Sequence, residues 1–233
     1  MIAENLQRLK DRIILQCESS SRNKNEVKLV AVSKYFGLNA IKEANNLGIT
    51  DFGENKAQEL RDKYQLIGDK VNWHFIGTLQ KNKVKYVVKA ATLIHSVDAL
   101  SLADEINNQS EKLGKVQNIL LEIKTSSEET KSGLEKEEQI LKLATHCNSL
   151  NYVTLKGLMT MAPFTNDERL IRNSFSELRK LKDKLNQQGF NLSELSMGMT
   201  NDFEIAIDEG ATILRIGSAI FGSRDYSKDW RVQ

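Results

Sequence analysis

The chain opens with Ile2, Leu6, Leu9, Ile13 and Ile14 at helical spacing among polar positions. This predicts an amphipathic leading helix over residues 1–22. After a polar break at Ser19–Asn25 the pattern changes to Lys28-Leu29-Val30-Ala31-Val32-Ser33-Lys34. A short, unbroken, β-branched run of this kind suits a strand buried on both faces, as in a parallel sheet covered by helices. The two periodicities then alternate along the chain. Helices are predicted over Leu38–Leu47, Asn55–Leu66, Gln80–Val88, Ala99–Leu113, Glu135–Cys147, Asn166–Gln188 and Asp202–Glu209. Gly48, Gly114 and Gly189 stand where helices should stop, and Pro163 fits the loop before the longest one. Strands are predicted at Lys28–Val32, Ile49–Gly53, Trp73–Gly77, Thr92–Val97, Val116–Ile123, Val153–Met161, Leu192–Met197 and Thr212–Ile216.

Strict alternation with short connections means parallel strands joined by right-handed crossovers. About eight such strands within 233 residues predict an α/β fold, a closed (β/α)8 TIM barrel with an extra N-terminal helix. An open doubly wound sheet would place a glycine-rich fingerprint after its first strand. VSKYFG stands there instead. No linker, low-complexity segment or short-period repeat interrupts residues 1–233, so a single domain is expected.

Charge changes this picture little. Lys+Arg number 33 against Asp+Glu 31, a net +2, which gives no pull toward nucleic acid or a membrane surface. No apolar stretch approaches the roughly 20 residues of a membrane span. Charges interrupt every apolar group of the first helix, unlike a signal peptide, so a cytoplasmic protein is expected. Cys17 and Cys147 lack metal-ligand spacing and are expected to be reduced. No metal site is read from the chain.

Candidate chemistry begins at Lys34. In a barrel, functional groups gather at the carboxyl ends of the strands, and Lys34 ends the first one. Desolvation there disfavours the ammonium form and leaves an amine able to attack a carbonyl, the requirement for a Schiff-base lysine. The bland alternative is a lysine that has left the strand for water. The other strand ends carry Asn55, His74, Ser96, Lys124, Met159 with Met161, Ser196, and Arg215 with Gly217. His74 reads as a hydrogen-bonded wall residue, the methionines as core packing, and Asn55 as a possible helix cap. The last two ends are richer. Ser196-Met197-Gly198-Met199-Thr200 and Arg215-Ile216-Gly217-Ser218 set glycines and hydroxyls where barrels commonly bind phosphate. A phosphate cup on the same rim as an imine-forming lysine points to pyridoxal 5'-phosphate (PLP), or to a sugar phosphate in a lysine-imine aldolase.

The motifs VAVSK, DFGENKAQE, WHFIGTLQKNK, IHSVD, KSG, GLMTM and LSMGMTNDFEIAIDEGATILRIGSAIFG follow one another from Val27 to Arg224. In content and order they closely resemble the pyridoxal phosphate homeostasis protein family, single-domain PLP-binding barrels related to the alanine racemase N-terminal domain. The resemblance implies a PLP aldimine on Lys34. It implies a phosphate held by Ser196, Thr200, Gly217 and Ser218, with Arg215 facing the pyridine nitrogen and Asn55 along the ring. It also implies a role in intracellular PLP (vitamin B6) and amino-acid homeostasis, with apo PLP-dependent enzymes as recipients. A monomer is expected. Three positions depart from the family's usual pattern. Thr200 stands for serine, Tyr35-Phe36-Gly37 for a Thr-Lys-Pro-like turn, and Lys124 for asparagine.

Relatives of this fold include racemases and decarboxylases, so a slow PLP-dependent racemase or lyase is the alternative reading. Amino-acid chemistry needs an electron sink and a second acid/base group at the α-carbon. Arginine at the ring nitrogen supplies no proton readily, because its pKa lies above about 12. Racemases of this fold carry a further domain whose tyrosine is the second base, and the chain ends at Gln233 without one. Tyr35, Tyr86 and Tyr152 are the remaining candidates. A binding protein without efficient catalysis is therefore expected.

Overall fold

In the computed structural model, which describes residues 1–126, 128, 132–223 and 230–232, the apolar runs become eight strands. They are β1 (Lys28–Val32), β2 (Asp51–Glu54), β3 (Asn72–Phe75), β4 (Ala91–Val97), β5 (Gln117–Glu122), β6 (Val153–Met159), β7 (Glu194–Ser196) and β8 (Ile213–Ile216). Each pairs in parallel with the next, and β8 returns to β1, closing the barrel in sequence order. The helices between them are α2 (Leu38–Asn46), α3 (Ala57–Ile67), α4 (Val84–Ala90), α5 (Leu100–Lys112), α6 (Glu137–Ser149), α7 (Glu168–Gln187) and α8 (Phe203–Asp208). The leading helix α1 (Ile2–Ser19) and a short α9 (Ser218–Phe221) complete the described set.

Alternation along each strand divides two cores. Val30, Leu93, Leu120, Met159 and Ile213 fill the barrel, with Met161 packed against them. Ile94, Ile119 and Leu121, their sequence neighbours, point outward into the layer between sheet and helices. Phe52, Trp73 and Phe75 meet Leu60, Val87 and Ile106 in that layer. Each large apolar side chain buried there contributes about 1.5–3 kcal/mol relative to exposure. The buried stripe Leu6, Leu9, Ile13 and Cys17 seats α1 on this outer ring. Asn5 Nδ2 donates to Ile220 O at 3.1 Å, and Arg22 to the carbonyls of Ile207 and Ala211 at 3.0 and 2.8 Å.

Element boundaries differ from expectation where the chain turns. The leading helix ends at Ser19 rather than residue 22, because Ser21 takes a left-handed φ of 53°. The second strand starts at Asp51, two residues late. Ile49 N donates back to Ala44 O at 3.1 Å and so completes the end of α2 around Gly48. The consequence is functional, since Glu54 joins β2 and Asn55 sits just past its end. Gln80–Val88 divides into a 3-10 turn, Lys81–Lys83, and α4. No helix among the described residues is long and apolar enough to cross a membrane.

Candidate binding site at the barrel mouth

Lys34 and Asn55 leave the sheet side by side. Val32 pairs with Gly53, and Ser33 N donates to Gly53 O at 3.0 Å, so each residue lies just beyond its strand. Lys34 is half-buried. Asn55 is no helix cap: Lys56 occupies that position, and no side chain caps α3. Asn55 Oδ1 is instead buried without a hydrogen-bond partner. An unpaired buried acceptor costs about 1–3 kcal/mol and calls for an explanation. Gly77 leaves room for the Asn55 backbone, because a Cβ there would stand 2.1 Å from Asn55 O.

Across the mouth the segments after β7 and β8 meet. Gly198 has φ +91°, and a Cβ on it would lie 2.6 Å from Ala206 Cβ, so this turn needs glycine twice over. Arg215 N donates to Gly198 O at 2.9 Å, tying the turn to β8. Ser218 Oγ donates to Thr200 Oγ1 at 3.2 Å, which sets two exposed hydroxyls together at the rim. Gly217, between Arg215 and this pair, has φ −114°, outside the left-handed region that favours glycine. Its small size is therefore the property to explain.

Ser196 stands apart from those hydroxyls. It is buried, and its Oγ lies 2.7 Å from Arg215 Nη1 and 2.9 Å from His95 Nδ1. His95 Nε2 is 2.9 Å from His74 Nδ1, and His74 Nε2 is 2.9 Å from Asp51 Oδ1. One pattern satisfies every group with both imidazoles neutral. Arg215 donates to Ser196, Ser196 to His95, His95 to His74, and His74 to the Asp51 carboxylate. Burial, then the neighbouring His74 and Arg215, pushes the His95 pKa well below the usual imidazole value, in keeping with a neutral ring. Burial raises the Asp51 pKa, but its bonds from His74 and Thr50 outweigh this and hold the carboxyl below the usual range. Burial likewise lowers the Arg215 pKa to about 10, against the pull of Asp202 and Glu122. Arg215 Nη2 also donates to Thr160 O at 2.9 Å, so its guanidinium plane is fixed at two points.

Other expected rim residues resolve differently. His74 is the wall residue the sequence predicts, and Met159 belongs to the inner core. Ser96 Oγ donates to Gly77 O at 2.5 Å and holds the rim backbone. Lys124 is largely withdrawn from water: its side chain is only 14% exposed and pairs with Glu135 at 2.5 Å. Lys131 of the KSG motif lies outside the described residues. Sequence reading missed His95, one position before the serine taken as the end of its strand. Its place two residues after Leu93, which faces the barrel interior, carried the signal. It also missed Lys63, whose stretch QELRDK reads as a solvated helix face.

Residues 2–225 match the family described as alanine racemase, N-terminal domain. A relative from Aquifex aeolicus (strain VF5), named pyridoxal phosphate homeostasis protein, is 44% identical over 226 residues, 96% of this chain and 98% of its own. The chain belongs to the pyridoxal phosphate homeostasis protein family. Within that family the likeness persists at distance. The Haemophilus influenzae (strain KW20 / Rd) homeostasis protein is 40% identical over 97% of both chains. Among solved structures, PipY of Synechococcus elongatus PCC7942 with PLP bound is 33% identical. It superposes with a TM-score of 0.84 over 95% of this chain and all of its own. The homeostasis family's barrel thus extends from α1 through α9 here.

Proposed function

We propose that this protein binds PLP through a covalent link to Lys34 and serves intracellular PLP and amino-acid homeostasis without efficient catalysis. The observation that carries the reading is the buried, unpartnered Asn55 Oδ1 beside Lys34, on the rim that also holds Arg215 and the Thr200–Ser218 pair. These groups fit the cofactor's chemistry. Lys34 offers an amine to the aldehyde, and Asn55 an acceptor to a ligand hydroxyl or N–H. Thr200 and Ser218 offer hydroxyls to the phosphate, with Gly217 leaving room for close approach. Arg215, held flat by Ser196 and Thr160 and still charged near neutral pH, would present a cation to the ring nitrogen without giving up a proton. Ser196 acts here through Arg215 rather than on the phosphate. When bound, PLP supplies an amine-reactive aldehyde and an electron-withdrawing ring.

The positions of the tyrosines support a carrier over an enzyme. Tyr152 precedes β6, at the opposite end of the barrel, and Tyr86 lies on α4 under Arg61 and Lys85. Tyr35 adjoins the mouth with Lys56 Nζ 4.5 Å from its ring centre. The chain from Asp51 through His74, His95 and Ser196 spends its hydrogen-bonding groups on one another and on Arg215, which leaves none of them for a substrate α-carbon. One barrel domain over residues 1–233, working in the cytoplasm as a monomer that passes PLP to apo-enzymes, completes the proposal. Incubating the PLP-loaded protein with L-alanine and other amino acids in deuterated water tests it. Exchange of the α-hydrogen barely above free PLP is expected, and exchange at about 1 s⁻¹ or faster, a typical kcat, means an enzyme.

A further inference from the structure

Behind Lys34 lies a group of charges that the cofactor site does not use. Lys63 on α3 is fully buried, as is Glu54 at the end of β2, and Glu59 is 5% exposed. Lys63 Nζ donates to Glu54 Oε1 at 2.7 Å, to Glu59 Oε1 at 2.8 Å and to Ser33 O at 2.9 Å, which uses all three of its N–H bonds. Ser33 Oγ donates to Glu54 Oε1 at 2.6 Å. Tyr35 N donates to Glu59 Oε1 at 2.8 Å. The Trp230 ring centre lies 5.2 Å from Lys63 Nζ on a further side.

The connections converge on one residue. Lys34 is joined to the chain by two peptide planes. The first contains Ser33 C=O, which Lys63 holds, and the second contains Tyr35 N–H, which Glu59 holds. We propose that Lys63 and Glu59, with Glu54 between them, form a clamp that fixes both peptide planes of Lys34 and thereby aims its amine into the mouth. They are positioning residues, and the proposal rests on Lys34 being the lysine that binds PLP.

Two features argue that this is more than a way of docking α3 on β2. Three ionisable groups are withdrawn from water, and an apolar trio of similar volume would dock a helix as well or better. Glu54 Oε2 has no hydrogen-bond partner, a further cost left standing. The clamped turn is also strained. Tyr35 has φ +70°, one of two non-glycine residues at positive φ among those described. Such a conformation persists when its surroundings over-determine it, and it clusters at functional sites. Burial, then the nearby Glu59, pushes the Glu54 pKa up to about 7 against Lys63's pull, which leaves the cluster close to neutral.

The test compares variants that cut the clamp with one that only loosens the same helix. Lys63→Met and Glu59→Leu remove the ties to Ser33 and Tyr35, Glu59→Gln keeps the acceptor, and Leu60→Ala opens a cavity in α3 away from the turn. Two rates are measured at Lys34 by peptide mapping: borohydride-trapped capture of PLP, and acylation of PLP-free protein by an amine-reactive reagent. Misplacement by about an ångström can cost two orders of magnitude in rate, so at least about tenfold slowing is expected in Lys63→Met and Glu59→Leu. Glu59→Gln and Leu60→Ala should stay within about threefold of the unaltered protein, far below that misplacement cost. Unchanged rates in both clamp variants overturn the proposal, as does equal slowing in Leu60→Ala. Should Lys63→Met fail to fold, Glu59→Leu against Glu59→Gln decides in the same way. Should PLP be trapped on another lysine, the site reading fails, and the acylation rates at Lys34 alone support or overturn the clamp.

Discussion

His74 and His95 face each other inside the barrel, with Nδ1 of one 2.9 Å from Nε2 of the other. Each ring spends its second nitrogen on a different partner, Asp51 toward the amino end of the strands and Ser196 toward the mouth. Two histidines thus link the floor of the barrel to the arginine at its opening.

That link predicts a coupled loss. His95→Leu leaves Nδ1 of His74 without its donor and the Ser196 hydroxyl proton without its acceptor, at about 1–3 kcal/mol each. Stability should fall by several kcal/mol, and PLP affinity should fall with it as Ser196, no longer oriented by His95, holds Arg215 less firmly. Denaturant unfolding and equilibrium dialysis measure the two. A variant as stable as the parent would mean that the chain of bonds is not maintained.

Gly217→Val separates phosphate from ring binding. The φ of residue 217, −114°, lies outside the left-handed region that favours glycine, so a side chain meets no strain of that kind. A branched side chain nonetheless blocks backbone approach to an anion. Affinity for PLP should drop by at least about tenfold, or 1.4 kcal/mol, while pyridoxal, which lacks the phosphate, changes little. Equal losses for both ligands would assign this glycine to packing.

Glu54 gives the clamp a signature in pH. Its carboxyl is pushed from 4.5 to about 7 by burial, so between those values the folded state holds a proton that the unfolded chain has released. The stabilisation is complete below the unfolded value and is lost as pH rises through about 7. Glu54→Gln should flatten this descent, whose limiting slope for one proton is about 1.4 kcal/mol per pH unit. Unfolding midpoints from pH 4.5 to 8 in both proteins provide the comparison. Parallel curves would place the proton elsewhere.

Much of this was legible in the chain. The order and number of strands follow from apolar runs punctuated at Gly48, Gly114 and Gly189, each of which takes positive φ. Lys34, Gly217 and Ser218 stand out as candidates because a strand's carboxyl end is where a barrel exposes chemistry. What stayed hidden depends on distant partners. Lys63 looks like an ordinary helix-surface lysine until α3 packs against β2 and carries it to Ser33, 30 residues away. Ser196 reads as a phosphate ligand because a hydroxyl near glycines is a local pattern. Its commitment to His95 and Arg215 spans 101 and 19 residues and appears only when the barrel closes. His95 was obscured by one residue, since a shift of one along a strand exchanges inside for outside.

The central claim is that Lys34 carries the cofactor, and one measurement addresses it directly. The protein is loaded with PLP, reduced with borohydride, digested and mapped by mass spectrometry, in parallel with Lys34→Ala. A phosphopyridoxyl group on the Lys34 peptide is predicted, with loss of both this label and the visible absorption band in a Lys34→Ala protein that still folds. A label on Lys124 or another lysine, or a band that survives in Lys34→Ala, would contradict the account.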